Sequence, residues 1–469
     1  MKPFKSNKTR RLFLRGLAAG SAALTAAPAV LASAYQQKLL LGNQNYDDRP
    51  YTYTANDQIN IGLIGCGIRG VLDMKFSLEV PGVKLVAVCD LYDGRLDRAR
   101  ELWGNDLFLT KDYRELLARR DIDAVFIATP DHWHKTMFVE ALKAGKHVYG
   151  EKPMVQKWEE GQAIISTQKS SGKLCQIGSQ GLSSLGNEKA KQLYEEGAIG
   201  EIVLFDFFSD RYTAEGAWQY PIPPDANPQT VDFDAFLGNA PKVPYDNTRF
   251  FRWRNYRDYG TGVAGDLFVH AFSSLNYILS SHGPNRAQAT GGLRYWKDGR
   301  DVPDVSITLY DFPKTDTHAA FNAAFRINFI AGSGGQGGFR LIGTEGDMEV
   351  SQTGVVLNRT KLSLMPTPYA LGAFTEATQK KILAEYAAKI ENPRASTLAT
   401  GNTVWEAPAG YRGGNYDHTA NFFRAIRGER KIVEDPIFGL RAAGAALLAN
   451  HSYYEEKPVR WDPEKMKIV

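Results

Sequence analysis

The sequence predicts an α/β protein in two parts: a doubly wound parallel sheet, then an α+β domain built on a large, mostly antiparallel open sheet. Three observations predict it. Between residues 59 and 178, apolar strand patterns alternate with helical patterns of about a dozen residues, the arrangement of a parallel sheet covered on both faces. A glycine-rich turn joins the first of those strands to the first helix. After residue 178 the strand patterns lengthen and fewer helices separate them, as in an antiparallel sheet.

From the N-terminus, residues 1–34 hold Lys2, Lys5, Lys8, Arg10, Arg11 and Arg15 and no acid. The run "TRRLFLRGLAAGSAALTAAPAVLASA" has a basic flank, a moderately apolar stretch and a small-residue end at Ala32-Ser33-Ala34. Arg10 and Arg11 before Leu12, Phe13 and Leu14 resemble the twin-arginine export signal, which predicts a periplasmic protein; an ordinary N-terminal helix is the other reading. The stretch is too short and too weakly apolar for a stable membrane span. Setting those six basic residues aside takes the net charge from +4 to −2, which argues against a nucleic-acid partner. Cys66, Cys89 and Cys175, an odd number beside apolar runs, make no disulfide framework.

Residues 35–58 lack periodicity and read as an extended arm or linker. The first domain is expected over 59–178, with strands "INIGLIG", "VKLVAVCD", "DAVFIATP" and "HVYG" and helices "VLDMKFSLEV" and "HKTMFVEALKAG". The second is expected over 179–469, with strands "EIVLFDFFSD", "DVSITLYDF", "AAFNAAFRINFI" and "GFRLIGTEGDMEV". Two helical patterns, "DHTANFFRAIRGE" and "GLRAAGAALLANHSYYEE", close the chain, and "GSGGQGG" (332–338) reads as a hairpin.

"GLIGCGIRG" sets Gly65, Gly67 and Gly70 as G-x-G-x-x-G, with Ile68 and Arg69 between them, after a strand and at a helix start. Gly65 permits the tight turn, Gly67 lets backbone approach a pyrophosphate, and Gly70 lets helix and strand pack closely. Asp90 closes the next strand, where a carboxylate accepts ribose hydroxyls and repels a 2′-phosphate. NAD is therefore the expected cofactor, and Arg95 nearby keeps NADP open. "ATPDHWHK" puts Thr129, Pro130, His132 and His134 after another strand, flanking the nicotinamide side of the crevice or, in the plainer reading, capping a helix. No cluster at ligand spacing supports a metal. Glu151-Lys152-Pro153 follows a third strand; Pro153 keeps Lys152 out of helical geometry, where its ammonium can hydrogen-bond a reacting oxygen. In "GTGVAGDLFVHAFSSLNYIL", Asp266 and His270 stand four apart on one helical face, with Leu267, Phe268, Leu275 and Ile278 on the other. Histidine suits accepting an alcohol proton near neutrality, and Asp266 orients it or binds a hydroxyl. "TRFFRWRNYRDYG" offers Arg252, Trp253 and Tyr256 for a sugar pocket or, equally, a structural loop, and His418 has no assigned role.

Together "PDHWH", "EKP", "QIGSQ" (176–180) and the D-x-x-x-H of Asp266 and His270 resemble the Gfo/Idh/MocA oxidoreductase superfamily, from residue 59 over nearly the whole chain. The resemblance implies a Rossmann domain followed by an open-sheet α+β domain. It implies Lys152, Asp266 and His270 as the catalytic set with His270 as general base, and Glu151 beside the cofactor. The implied substrate is a sugar, polyol or glycoside, and a dimer or tetramer is the expected assembly. An exported enzyme has little access to a cytosolic NAD pool, so a tightly held cofactor is expected. A redox-assisted NAD-dependent glycosidase is the alternative, although that branch of the family tends to depart from Glu151-Lys152-Pro153; a non-catalytic sugar-binding protein is the third reading.

Overall fold

The structure, a computed structural model, describes residues 37–40, 57–360, 362–389 and 401–469. The signal segment expected at 1–34 and most of the arm expected at 35–58 lie outside the described residues, although Gln37–Leu40 within that arm is a strand. The chain divides into two compact units, Met1–Leu39 with Leu357–Val404, and Leu40–Val356 with Trp405–Val469. In the smaller unit Thr367 caps the short helix Pro368–Leu371 by accepting from the Ala370 N–H, and the helix Glu376–Lys389 buries none of its residues.

The larger unit begins with six strands: β1 (Ile59–Ile64), β2 (Val83–Cys89), β3 (Phe108–Thr110), β4 (Ala124–Ile127), β5 (His147–Glu151) and β6 (Cys175–Gly178). They lie in the order β3-β2-β1-β4-β5-β6, every pair parallel. This is the doubly wound order whose switch point falls between β1 and β4, where a ligand crevice opens at the strands' carboxyl ends. Helices on both faces explain why Ile61, Leu63, Val125 and Phe126 are all fully buried. The crossovers include α1 (Ile68–Ser77), α2 (Asp93–Trp103), α3 (Tyr113–Ala118), α4 (His134–Lys143) and α5 (Gly161–Ser171).

After α6 (Leu185–Glu195) the second sheet uses β7 (Ile202–Asp210), β8 (Arg286–Gly292), β9 (Val305–Phe312), β10 (Phe321–Asn328), β11 (Gln336–Gly343), β12 (Asp347–Ser351), β13 (Val459–Asp462) and β14 (Lys467–Ile468). Their order is β12-β11-β7-β10-β9-β8-β13-β14, antiparallel throughout except for the β7–β10 pair. The expected hairpin at 332–338 is thereby corrected. Because β10 and β11 flank β7 on opposite sides, that glycine-rich loop carries the chain across the end of β7, and the true hairpin lies at the Gly343 N–H to Gly346 carbonyl bond between β11 and β12.

Alternation on β9 and β10 buries one face, where Phe325, beside Phe205 of β7, and Tyr310 meet Phe268 and Phe272 of the segment crossing it. Phe272 stacks on Phe325 with ring centroids 4.5 Å apart, a contact geometry that adds to simple burial. The helix α7 (Val269–Leu279) is thus fixed on the sheet by its aromatic face. Near the C-terminus, α8 (Gly414–Ile426) returns to the first sheet, packing Phe422 and Phe423 on Phe126 and Tyr149. The first sheet's core therefore draws on chain well beyond residue 178. The last long helix, α9 (Pro436–Tyr454), starts at Asp435, which caps it through the Phe438 N–H.

Candidate active site

The ends of β1, β2, β4, β5 and β6 bring most of the expected residues to one edge of the sheet. At the first turn Gly65 has φ +93°, and a Cβ there would sit 2.5 Å from the Ala128 carbonyl oxygen. A Cβ on Gly70 would sit 2.0 Å from the Gly65 carbonyl oxygen, so the helix can approach the strand only without a side chain. A Cβ on Gly67 would meet nothing nearer than the Arg95 guanidinium at 3.6 Å, leaving an open cradle at the start of α1. No side chain caps that helix, so its first N–H groups are available to an anion. Exposed Ile68 lies there too. The cradle and the buried Thr129 hydroxyl, which has no partner among the described residues, fit a dinucleotide. We expect Gly70→Ala to cost about 1–3 kcal/mol of stability and to lower dinucleotide retention. Thermal melting and the cofactor content of the purified variant check this.

Asp90 is nearly buried at the end of β2, accepting from the Cys66 N–H at 2.8 Å and the Tyr92 N–H at 3.0 Å. Arg95 stands 3.5 Å from the same carboxylate and over the Phe250 and Phe251 rings. Pairing with Asp90 draws the arginine charge away from a 2′-phosphate.

Two expectations at the end of β4 are corrected. His134 is fully buried, with Nδ1 2.7 Å from the Pro153 carbonyl and Nε2 3.0 Å from the Thr129 carbonyl, so it has no free edge for a nicotinamide. His132 faces the Phe236 carbonyl at 2.8 Å and the Tyr259 carbonyl at 3.3 Å, and burial pushes its pKa down to about 4. Both rings brace the strand end that carries Thr129 and Pro130. His418 likewise bridges Ser183 and the Ile177 carbonyl. Among the described residues no group of three His, Cys, Asp or Glu stands ready for a metal.

At β5, Glu151 accepts from Arg69 Nε at 3.0 Å and from Gln180 Nε2 at 2.6 Å, while Arg69 also pairs with buried Asp73. Gln180 belongs to the segment after β6, so this network ties three strand ends together. The Lys152–Pro153 peptide is cis. Lys152 Nζ donates to the Asp266 carbonyl oxygen at 2.8 Å and to Asp266 Oδ1 at 3.1 Å. An ammonium has three hydrogens, and the third remains for a substrate.

Asp266 lies in a π-helical turn, Ala264–Phe268, that leads into α7, where a plain α-helix was expected. Such turns recur at functional sites. Burial alone would raise the Asp266 pKa, but Lys152 and Arg254 beside it reverse that and hold the carboxyl well below the usual range. His270 is exposed at the crevice wall with protein crowded behind it. That crowding, then the charge of Lys152, lowers its pKa against the pull of Asp266. The imidazole is neutral at neutral pH and competent to accept a proton.

The expected sugar-pocket residues divide. Arg252 is corrected to a loop brace: its Nε donates to the Tyr220 carbonyl at 2.8 Å and its Nη1 to Gln219. Tyr256 is buried in an aromatic cluster with Phe250, Phe251 and Tyr259, so it too is structural. Trp253 stacks under Arg254, whose guanidinium lies 4.2 Å from the ring. Arg254, not Arg252, reaches Asp266, at 3.4 Å. The residue type was legible, but which of two arginines turns inward depends on the 3-10 turn Trp253–Asn255. Glu434, outside any sequence motif, is fully buried beside Ser273 of α7.

Two family models match the chain: an oxidoreductase family NAD-binding Rossmann fold over residues 59–179, and the same family's C-terminal alpha/beta domain over 208–289. A glycosyl hydrolase family 109 protein of Shewanella baltica is 36% identical over 133 residues, 26% of this chain and 28% of that protein. An alpha-N-acetylgalactosaminidase of Shewanella oneidensis is 37% identical over 131 residues, 25% and 28% of the two chains. The match spans little more than a quarter of these relatives' length. The fold is also that of scyllo-inositol dehydrogenase from Lactobacillus casei, solved with NAD(H) and scyllo-inositol (TM-score 0.58, 19% identity, 86% of this chain and 98% of that one).

Proposed function

We propose, from the premise that residues 59–179 and 208–289 are those of a Gfo/Idh/MocA oxidoreductase with an NAD-binding Rossmann domain, that this protein moves a hydride to or from a secondary alcohol of a sugar, polyol or glycoside. The observation that carries the reading is the meeting of Lys152, Asp266 and His270 at the carboxyl edge of the NAD-binding sheet. Bound NAD supplies the hydride acceptor. Neutral His270 takes the hydroxyl proton, while Lys152 donates its free hydrogen to the oxygen that becomes a carbonyl. Asp266, its carboxyl held well below the usual range, fixes the ammonium in place. Gly65, Gly67, Ile68, Arg69, Gly70, Asp90 and Thr129 are the residues we assign to the dinucleotide.

The basic, small-residue segment at 1–34 supports export by the twin-arginine route, and export supports a trapped cofactor. Exposed Ile307 and Leu309 on the outer face of the second sheet support a homo-oligomer. A second reading, the redox-assisted glycosidase, is favoured by the names of the Shewanella relatives. In it the same proton transfers serve an oxidation that is reversed after the aglycone leaves.

One experiment separates these. The full-length protein is recovered from the periplasmic fraction and sized. Part is denatured so that any released dinucleotide can be identified by mass; the remainder is followed at the nicotinamide absorbance while sugars and glycosides are added. We expect stoichiometric NAD(H) that changes redox state with a sugar. Aglycone release without net redox change supports the glycosidase, and an empty protein inert to every sugar ends both enzymatic readings.

A further inference from the structure

The crevice wall beyond Lys152 carries more positive charge than a neutral sugar needs. Arg211 follows β7, its backbone fixed by bonds to Asn328 and Ala331. Its guanidinium lies 5.1 Å from the Phe329 ring and donates from Nη1 to the Gly216 carbonyl at 2.8 Å. No other bond from that guanidinium occurs among the described residues. Arg254 uses Nε on Asp266 at 3.4 Å, and its two terminal amino groups likewise have no partner among the described residues. Neither set of free N–H groups is sealed from solvent. Tyr220 adds a hydroxyl in the same condition, its carbonyl being taken by Arg252. The group is compact: Asp266 and Arg254 both act on the charges of Arg211 and Tyr220.

The opposing carboxylates are already engaged. Asp266 serves Lys152 and Arg254, while buried Asp131 accepts from the Thr261 N–H and hydroxyl at 3.0 and 2.9 Å. Three cations, Lys152, Arg254 and Arg211, thus face buried Asp266 and Asp131, with exposed Glu215 the last of the charges acting on Tyr220; Asp131, its pKa raised to about 6 by burial, is the weaker buried counter-charge. Burial, then Arg254, lowers the Arg211 pKa, against Asp266 and Tyr220 that raise it. The cofactor's pyrophosphate does not supply the missing anion, since the open cradle for it lies at Gly67 and the start of α1.

We infer that the substrate is an anionic sugar, bearing a carboxylate or a sulfate ester, whose oxyanion is bound by the free guanidinium edges of Arg211 and Arg254 with the Tyr220 hydroxyl beside them. Guanidinium forks match such oxyanions two bonds at a time. This rests on the crevice being the sugar site proposed above, and it narrows the class of sugar that enters.

The test uses the full-length, NAD-loaded protein and matched probes: methyl glucuronide against methyl glucoside, methyl galacturonide against methyl galactoside, and glucose 6-sulfate against glucose. Binding is read by calorimetry, independently of turnover. In at least one pair the acidic probe should bind about 10–100-fold more tightly. Arg211→Gln should remove most of that preference and Arg211→Lys only part, since lysine keeps the charge without the fork. Tighter binding of the uronates names a carboxylate, and of the sulfate a sulfate ester. If no acidic probe outbinds its neutral partner, or if the preference survives in both Arg211→Gln and Arg254→Gln, the inference is overturned. Nicotinamide absorbance, recorded separately, reports on the dehydrogenase reading: a uronate that binds tightly yet changes no redox state sinks that reading and leaves the substrate class standing.

Discussion

A Lys152→Met enzyme should keep its dinucleotide and lose about 10²–10³ in kcat, the range found when one donor to a developing charge is removed. The residue sits where its loss is chemically specific. Its side chain is 10% exposed and its ammonium is held by two oxygens of Asp266, so it is oriented before substrate arrives. Methionine fills a similar volume without a donor. The variant also strips Asp266 of its nearer cation, leaving Arg254 at 3.4 Å. The Asp266 pKa should then climb toward the ordinary carboxylate range. The His270 pKa should rise as well, because after burial the charge of Lys152 is the largest influence lowering it. The acid limb of kcat/KM therefore moves to higher pH in Lys152→Met. His270→Ala should abolish that limb altogether. Cofactor content, kcat, KM and the pH profile check the set. Near-wild-type kcat in both variants would refute the assignment of these residues.

What the sequence disclosed about this site follows from how local each constraint is. The glycine turn was legible because its demands are steric and near in sequence: the +93° φ of Gly65 and the 2.0 Å approach at Gly70 involve neighbours within one turn and strand. Asp90, Thr129 and Lys152 were legible as strand ends, since in a parallel sheet the carboxyl ends share one edge. The histidines were misjudged because position at a strand end says nothing of which way a ring turns. The carbonyls that hold His132 come from Phe236 and Tyr259, more than 100 residues on. The π-turn at Asp266 accompanies the docking of Phe268 and Phe272 on Phe325, a contact between distant segments. The loop at 332–338 was misread because spacing between two strands does not reveal that a third, β7, lies between them.

Glu434→Gln should stabilise the protein at alkaline pH and change little near pH 4, an effect of about 5 kcal/mol at its fullest. Glu434 is fully buried; Oε1 lies 3.4 Å from the Ser273 hydroxyl, and Oε2 has no partner among the described residues. Burial is the main reason its pKa rises from 4.5 to about 8; the Ser179 and Ser273 hydroxyls oppose the rise, and the charges of Asp435 and Glu151 add to it. The folded protein therefore holds a proton on Glu434 that the unfolded chain releases above pH 4.5. With more protons bound in the folded state, stability falls as pH rises from about 4.5 to about 8 and is level in this respect above that. Glutamine cannot ionise, so the variant escapes the decline while keeping a group of the same shape between the two serines. Because Ser273 lies one turn after His270 on α7 and Ser179 follows β6, the neutral acid also joins the helix that carries His270 to the first sheet. Denaturant midpoints of wild type and Glu434→Gln at pH 5, 7 and 9 decide it. The difference should widen with each step, and a gap constant across the three would mean that Glu434 does not change its charge on folding.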